Sequence, residues 1–373
     1  MERIRLHFLD TNLCLESNSP RLLELIERLY GRFRSEREPP GDGTAVVCRV
    51  YAGPPEGEAL LTIDGCTSSL PQRPFWEGDA CDQALEAVFA RSPGYLFLHG
   101  AAVNLAGKGI LLAGPAHHGK TTLALELARR GFGFLGDDIA ALCREDRHLY
   151  PFPKSVRLWP DDLPGHIRRE DPALLFWAGK YVLDVERLCP GCVASTTPLS
   201  HVVLLADPLD PPGVDENGLG ESLDIVLDHA DDQVLAGLGQ LAGVRVVRTF
   251  SYWGRFGVRL RLADRPKTVA EIETLCRERN VRLLGSAARF DLFPGFEGPA
   301  SLRPLAHTLA ARALFRQLRG HFTFGNNSPG PRPPALRILL DLARAIGDAR
   351  CFELRLGPLS EMADLICGLV QGT

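Results

Sequence analysis

The stretch GPAHHGKTT at positions 114–122 places glycines, a lysine and two threonines where a triphosphate can be gripped. It fits G-x-x-x-x-G-K-[ST] through Gly114, Gly119, Lys120 and Thr121, with Thr122 beside them. The glycines let backbone N–H groups converge on phosphate oxygens with no Cβ in the way. The positive end of a following helix faces the same anion. Lys120 would reach the β- and γ-phosphates, and the Thr121 hydroxyl would take one Mg2+ position. His117 and His118 fill variable positions of the loop and read as exposed loop residues rather than metal ligands.

Asp137 and Asp138 end the stretch FGFLGDD, the first of them 16 residues past Thr121. One carboxylate can hold Mg2+, and the other can accept the proton of an attacking hydroxyl. Neighbouring side chains on a strand point to opposite faces, so the two are expected to do different jobs. Upstream, YLFLHGAAVNLAGKGILLAG reads as a hairpin with its turn near Ala106–Gly107. That register sets His99 opposite Gly114, beside the γ-phosphate. A slip of one residue would turn the imidazole to the other face, leaving a buried histidine bonded to backbone.

These residues need a strand, a loop and a helix in that order, and the sequence supplies them. GKGILLAG is a short apolar run that suits a buried strand. In TTLALELARRG, Leu123, Ala124, Leu127 and Ala128 form an apolar stripe, and Gly131 supplies the stop. FGFLGDD then reads as a second strand carrying the aspartates at its C-terminal end, where ligands of open α/β sheets sit.

The 373 residues suit two or three domains. Residues 1–88 read as a small α+β domain with strands at RIRLHFLD, TAVVCRVYAG and ALLTIDG. Its helix is signalled by Ser19 as N-cap, Pro20 in the first turn, and Leu22, Leu23, Ile26 and Leu29 at helical spacing. EREPPGDG reads as an exposed loop. A recognition or dimerisation role is the default expectation for this domain, and the oligomeric state is open, a homo-oligomer being one possible state. Residues 89–210 hold the nucleotide motifs, and residues 211–373 form an α+β region that completes the core or binds substrate. In that last region, strands are expected at VRVVRTF and FGVRLRLA, and helices near 268–279, 303–318 and 334–347. A final strand and helix lie in ARCFELRLGPLSEMADLICGLV, and the loops are DPLDPPGVDENGLGES and GNNSPGPRPP.

Composition excludes several classes. A net charge of −4 argues against a nucleic-acid partner, which needs a basic surface. No run of about 18 apolar residues suggests a membrane span, and MERIRLHFLDTNL lacks the apolar core of a signal peptide, so a cytoplasmic location is expected. Ten dispersed cysteines read as free thiols. Cys189 and Cys192, in CPGC, have half-zinc-site spacing but no second pair of ligands, which favours a structural or incidental role.

The stretch HGAAVNLAGKGILLAGPAHHGKTTLALELARRGFGFLGDDIAAL resembles the catalytic core of the HPr kinase/phosphorylase family. A His-Gly pair, a hairpin, a phosphate loop, a helix ending in Arg-Gly and an Asp-Asp pair occur there in the same order at similar spacing. The resemblance implies that Gly114, Gly119 and Lys120 bind ATP and that Thr121 binds Mg2+. It also implies His99 near the γ-phosphate and the Asp137/Asp138 pair as the acid–base and metal-associated carboxylates; Asp137 is favoured as base and Asp138 at the metal, with the assignment between them open. The family's core is related to ATP-type phosphoenolpyruvate carboxykinases, so the implied α/β fold has a mixed sheet rather than a doubly wound one. The family's downstream I-R-G-L-G signature is absent, and the region reads HLYPFPKSVRLWPDDLPGHIRRED. The chain looks more like relatives associated with ribosomally made peptides, such as lasso-peptide kinases that phosphorylate a serine. Lys154, Arg157 and Arg332 could meet a phosphate or an acidic substrate, although solvation is the simpler role for each. The expectation is therefore an ATP- and Mg2+-dependent kinase acting on a peptide or protein hydroxyl. A small hydroxylated metabolite is the alternative acceptor. A nucleotide-binding regulator without transfer is the rival class, and a carboxykinase-like enzyme ranks last.

Overall fold

The computed structural model describes residues 1–36, 45–54, 57–72, 75–114, 118–206, 221–252, 255–262, 265–287, 299–320 and 335–372. Most of EREPPGDG, His117, the acidic loop at 207–220, GNNSPGPRPP and Arg332 lie outside these residues. The fold is mixed α/β with several sheets, and no helix among the described residues is long and apolar enough to cross a membrane.

The central sheet has nine strands. Thr197–Ala206 runs through its middle and pairs in parallel with both Lys108–Ala113 and Arg350–Arg355. The remaining pairings are antiparallel, so the sheet is mixed. Strand residues alternate between two cores, as the two-residue period requires. Ala101, Val103, Ile110, Leu112, Val203 and Leu205 face one layer with helices Lys120–Arg129 and Leu359–Gln371. Ala102, Leu111, Ala113, Val202 and Leu204 face the other, with helices His307–Phe315 and Ala335–Ala345. Burial on both faces explains why these strands read as unbroken apolar runs.

The N-terminal sheet has five strands, with helix Pro20–Tyr30 crossing between its parallel pair. The Ser19 hydroxyl caps that helix by accepting from Leu22 N at 3.2 Å, and Pro20 opens it. One core crosses the expected boundary at residue 88. Phe8, Leu25 and Phe89 share it with Phe97, Ile139, Phe152 and Val182. The far end divides differently as well. Four strands between Glu221 and Ala287 pair with each other over helices Asp232–Gln240 and Arg265–Glu278, around a separate core. Arg350–Arg355 and Leu359–Gln371 instead complete the central layers.

A fourth, small sheet joins Val156–Leu158, Lys180–Leu183 and Leu175–Trp177 in that order. The sequence offers no warning of it, because strands of three or four residues show no readable period. Ala178 and Gly179, both at positive φ, close its two-residue hairpin and set Trp177 opposite Lys180.

Candidate active site

The hairpin closes as the sequence predicts. Ala106 and Gly107 sit at φ 52° and 74°, the conformation that two-residue hairpin turns require. Gly100 pairs with Ala113, so His99 lies across from Gly114. The expected single strand is nevertheless two: Tyr95–Leu98 pairs with Ala140–Cys143, and Gly100–Leu105 pairs with the hairpin partner. At the break, His99 N donates to Gln317 O at 2.7 Å, which satisfies the amide that leaves both ladders.

Gly119 adopts a left-handed conformation at φ 75° and caps helix Lys120–Arg129. A Cβ on Gly114 would come within 2.9 Å of Leu205 O, so only glycine fits there. The helix buries Leu123, Ala124, Leu127 and Ala128, and it ends with Gly131 N bonded to Ala128 O and Phe132 N to Leu127 O. His118 differs from expectation. It immediately precedes left-handed Gly119 and its ring is turned inward, only 2% exposed. Lys120 is buried and its Nζ donates to Gly114 O at 2.9 Å. Burial pushes its ammonium down to about 8, against the upward pull of Asp137 and Asp138.

The aspartates do not lie on a strand. Gly133–Gly136 ends just before them, and Asp138 turns left-handed at φ 66°. Opposite-face alternation therefore does not apply, and both carboxylates enter one pocket with separate partners. The Thr121 hydroxyl donates to Asp137, 2.9 Å from Oδ1 and 2.8 Å from Oδ2. Asp138 pairs through Oδ1 with His99 Nδ1 and through Oδ2 with Lys154 Nζ, each at 2.9 Å. Burial raises the Asp137 carboxyl above its ordinary range, and Asp138 reinforces the effect. Burial acts on Asp138 in the same direction, but Lys154 and then His99 hold it well below that range.

The same pocket has a second wall. Its lining brings Gly119, Lys120, Thr121, Thr122, His99 and both aspartates together with Lys154, Arg157, Trp159, Asp162 and Lys180. Sequence reasoning missed Trp159, Asp162 and Lys180. The segment is stitched to the first wall at Phe152, whose N donates to Leu135 O at 2.6 Å, so Lys154 arrives beside Asp138. Lys180 Nζ stands 4.4 Å from the centroid of the Trp159 ring. Burial, aided by Arg157, pushes that ammonium down to about 8. The clustering of Lys154 and Arg157 was the one legible signal for this wall; Lys180 left none.

No group of three or more His, Cys, Asp or Glu side chains suited to a metal ion occurs among the described residues. Thr121 and Asp137 fit Mg2+ nonetheless, since that ion takes one or two hard oxygen ligands from protein and the rest from phosphate and water. Cys189 and Cys192 are free, in a turn where Cys192 O accepts from Phe134 N at 2.7 Å. Burial raises both thiols, Cys192 to about 11, which leaves them unreactive.

No family model matches the chain. It is 39% identical over 51 residues to the HPr kinase/phosphorylase of Chlorobium limicola, a span covering 14% of this chain and 16% of that one. The HPr kinase/phosphorylase of Pelodictyon phaeoclathratiforme is 39% identical over 55 residues, 15% of this chain and 17% of its own. The match thus spans less than a fifth of either curated relative's length. The solved structure of the Hpr(Ser) kinase/phosphatase from Coxiella burnetii aligns with 49% of this chain and 95% of its own, at 20% identity and a TM-score of 0.22. Across that short segment, the chain is a distant relative of the HPr kinase/phosphorylase family.

Proposed function

We propose that this chain is an ATP-dependent kinase that transfers the γ-phosphoryl group to a hydroxyl, first of all a serine of a peptide or protein. The observation that carries the reading is the pairing of Thr121 with Asp137 beside the phosphate loop, with Asp138 held between His99 and Lys154 in the same pocket. A bare phosphate loop needs only the first of these. The distant relation to HPr kinase/phosphorylases supports the same reaction class.

In this reading the loop and Lys120 hold the triphosphate in line with the acceptor, and positioning supplies much of the rate. Thr121 and Asp137 would hold Mg2+, which when bound offsets charge on the β- and γ-phosphates. This exchanges the roles favoured for the aspartates from the sequence, because the Thr121 hydroxyl meets Asp137 and not Asp138. Asp138 is then the carboxylate that accepts the hydroxyl proton, oriented by His99 and kept ionised by Lys154. The acceptor oxygen bonds to the γ-phosphorus, the bond from that phosphorus to the bridging oxygen of ADP breaks, and the hydroxyl proton passes to Asp138.

The test is transfer from γ-labelled ATP with Mg2+ to hydroxyl acceptors, run on the parent and on Lys120→Ala, Asp137→Asn and Asp138→Asn, with folding checked by circular dichroism. Turnover should collapse in Lys120→Ala. Asp137→Asn should require more Mg2+ for half-maximal rate, whereas Asp138→Asn should lower kcat by about 10²-fold or more. If the Mg2+ requirement moves with Asp138 instead, the roles revert. Variants that turn over ATP like the parent would overturn the assignment. ATP binding without a phosphorylated product would identify a nucleotide-binding regulator.

A further inference from the structure

The two walls of the pocket are unequally balanced in charge. On the phosphate-loop side, Lys120 lies in the field of Asp137, and Asp138 reaches across to answer Lys154 of the second wall at 2.9 Å. On the other side, among the described residues, Arg157 and Lys180 share the lining with one carboxylate, Asp162. The ammonium of Lys180 rests on the face of Trp159, 4.4 Å from the ring centroid. Burial first and Arg157 second hold the Lys180 ammonium down, so part of that depression is the cost of two cations lining one pocket. An anion arriving between them would remove it.

The positions of these side chains are fixed by the fold. Arg157 projects from the first strand of the small sheet, paired with Val182. Lys180 opens the middle strand immediately after the Ala178–Gly179 turn. Trp159 follows the first strand and limits where the Lys180 chain can go. Both cations act electrostatically on the catalytic carboxylates: Arg157 lowers Asp138, and both aspartates act on Lys180. Both thus lie in the field of Asp138, the carboxylate that takes the acceptor's proton in the reading above. A triphosphate with Mg2+ already has Lys120, the loop amides and the helix terminus to meet it.

We propose that the acceptor carries a carboxylate close to its hydroxyl, and that Arg157 and Lys180 form the subsite that binds it. The proposal rests on the kinase reading and adds a substrate class to it. Arg157 offers a planar fork to the carboxylate, Lys180 a point charge, and Trp159 holds the lysine in place. Two sources present that chemistry: a free hydroxy acid, and a serine flanked by an acidic residue in a peptide.

The experiment compares acceptors of matched size with γ-labelled ATP and Mg2+. One arm uses D-glycerate, glycerol and ethanolamine; the other uses serine peptides that differ only in Glu, Gln or Lys beside the serine. The parent should phosphorylate the carboxylate-bearing acceptor about tenfold or more better in kcat/KM than the neutral one, the size of a charge-assisted hydrogen bond. Lys180→Met and Arg157→Gln should each pull that ratio toward one, and Lys180→Glu should turn the preference toward the amine-bearing acceptor. The ratio is read within each variant, so partial loss of folded protein cancels. The arm that shows the preference identifies the source. Transfer to neutral acceptors as efficient as to carboxylates would overturn the subsite and leave the kinase standing. No transfer to any acceptor by the parent would overturn the kinase reading and the subsite with it.

Discussion

The two walls of the pocket are built by different means. The phosphate wall is one continuous stretch in which each functional residue is placed by an element beside it in sequence. The hairpin sets His99 across from Gly114, Gly119 caps the helix that begins at Lys120, and the strand ending at Gly136 delivers Asp137. The acceptor wall is assembled from pieces. Lys154 and Arg157 come from one segment and Lys180 from a strand more than 20 residues on, held by a three-stranded sheet with no long strand of its own. Local geometry fixes the first wall, and tertiary packing fixes the second. Substitutions in the joint between them should therefore do more damage than substitutions within either.

Phe152 is that joint, and its loss should give the largest effect. It is fully buried, stacks against Phe8 at 5.4 Å, lies 4.7 Å from Phe33, and its amide is bonded to Leu135. Phe152→Ala should cost about 3–5 kcal/mol of stability, measured by urea unfolding. Because residues 152–154 carry Lys154 to Asp138, folded Phe152→Ala protein should also lose phosphoryl transfer. A variant destabilised by less than 1 kcal/mol, judged against the same range, would show that the second wall does not depend on this joint.

Lys120→Ala comes next and confines damage to the first wall. If Lys120 meets the transferring phosphate as proposed, its removal should lower kcat/KM for ATP by about 10²–10³-fold. Lys180→Met should act mainly through the acceptor, raising its KM by about tenfold. If the two variants affect ATP and acceptor alike, the walls are not functionally separate.

The same division explains what could be read from the sequence. The hairpin register, the stop at Gly131 and the capped N-terminal helix were legible, because each depends on neighbours within a few residues. The small sheet was not, since three-residue strands carry no period and Lys180 gains its meaning only when folded over Trp159. The aspartates failed in a third way. Their placement at a strand end was nearly right, but the strand stops at Gly136 and the left-handed turn at Asp138 takes both carboxylates out of the alternation rule and into one pocket. The shared core around Phe152 hid for another reason: apolar residues at 8, 89, 97 and 152 show burial without showing which of them meet.

A pH series separates binding from stability at the lysines. In the free protein the Lys120 and Lys180 ammoniums are held down to about 8, against about 10.4 for an unperturbed lysine. The protonated forms bind anions, so kcat/KM should be sustained below pH 8 and fall as pH rises through it. The stability contribution of the same two groups has the opposite sign. Between about pH 8 and 10 the unfolded chain binds more protons than the native one, so this contribution rises with pH. Activity lost on the alkaline side should therefore not be accompanied by unfolding from these groups, and Lys180→Met should flatten the alkaline rise in urea midpoint. An activity loss that tracks unfolding would show that these lysines do not control the alkaline limb.

The smallest effect is expected at Trp159, and it tests how finely the second wall is tuned. The indole touches neither phosphate nor acceptor in the proposed arrangement; it confines Lys180 by presenting its π face 4.4 Å from Nζ. A contact of this kind contributes about 0.5–2 kcal/mol, depending on how far it is desolvated. Trp159→Leu keeps an apolar neighbour and removes the quadrupole, so Lys180 retains its charge and loses its fixed direction. The KM for a carboxylate acceptor should rise about two- to fivefold, the equivalent of about 0.5–1 kcal/mol of that contact, with a smaller change in the KM for ATP. Trp159→Phe should restore part of that loss, because a benzene face still attracts the ammonium, though less than indole. A structural role in packing the small sheet would instead lower stability in both variants and leave no separation between the two KM values. Aromatic rescue read in acceptor KM is therefore the outcome that assigns Trp159 to positioning the lysine.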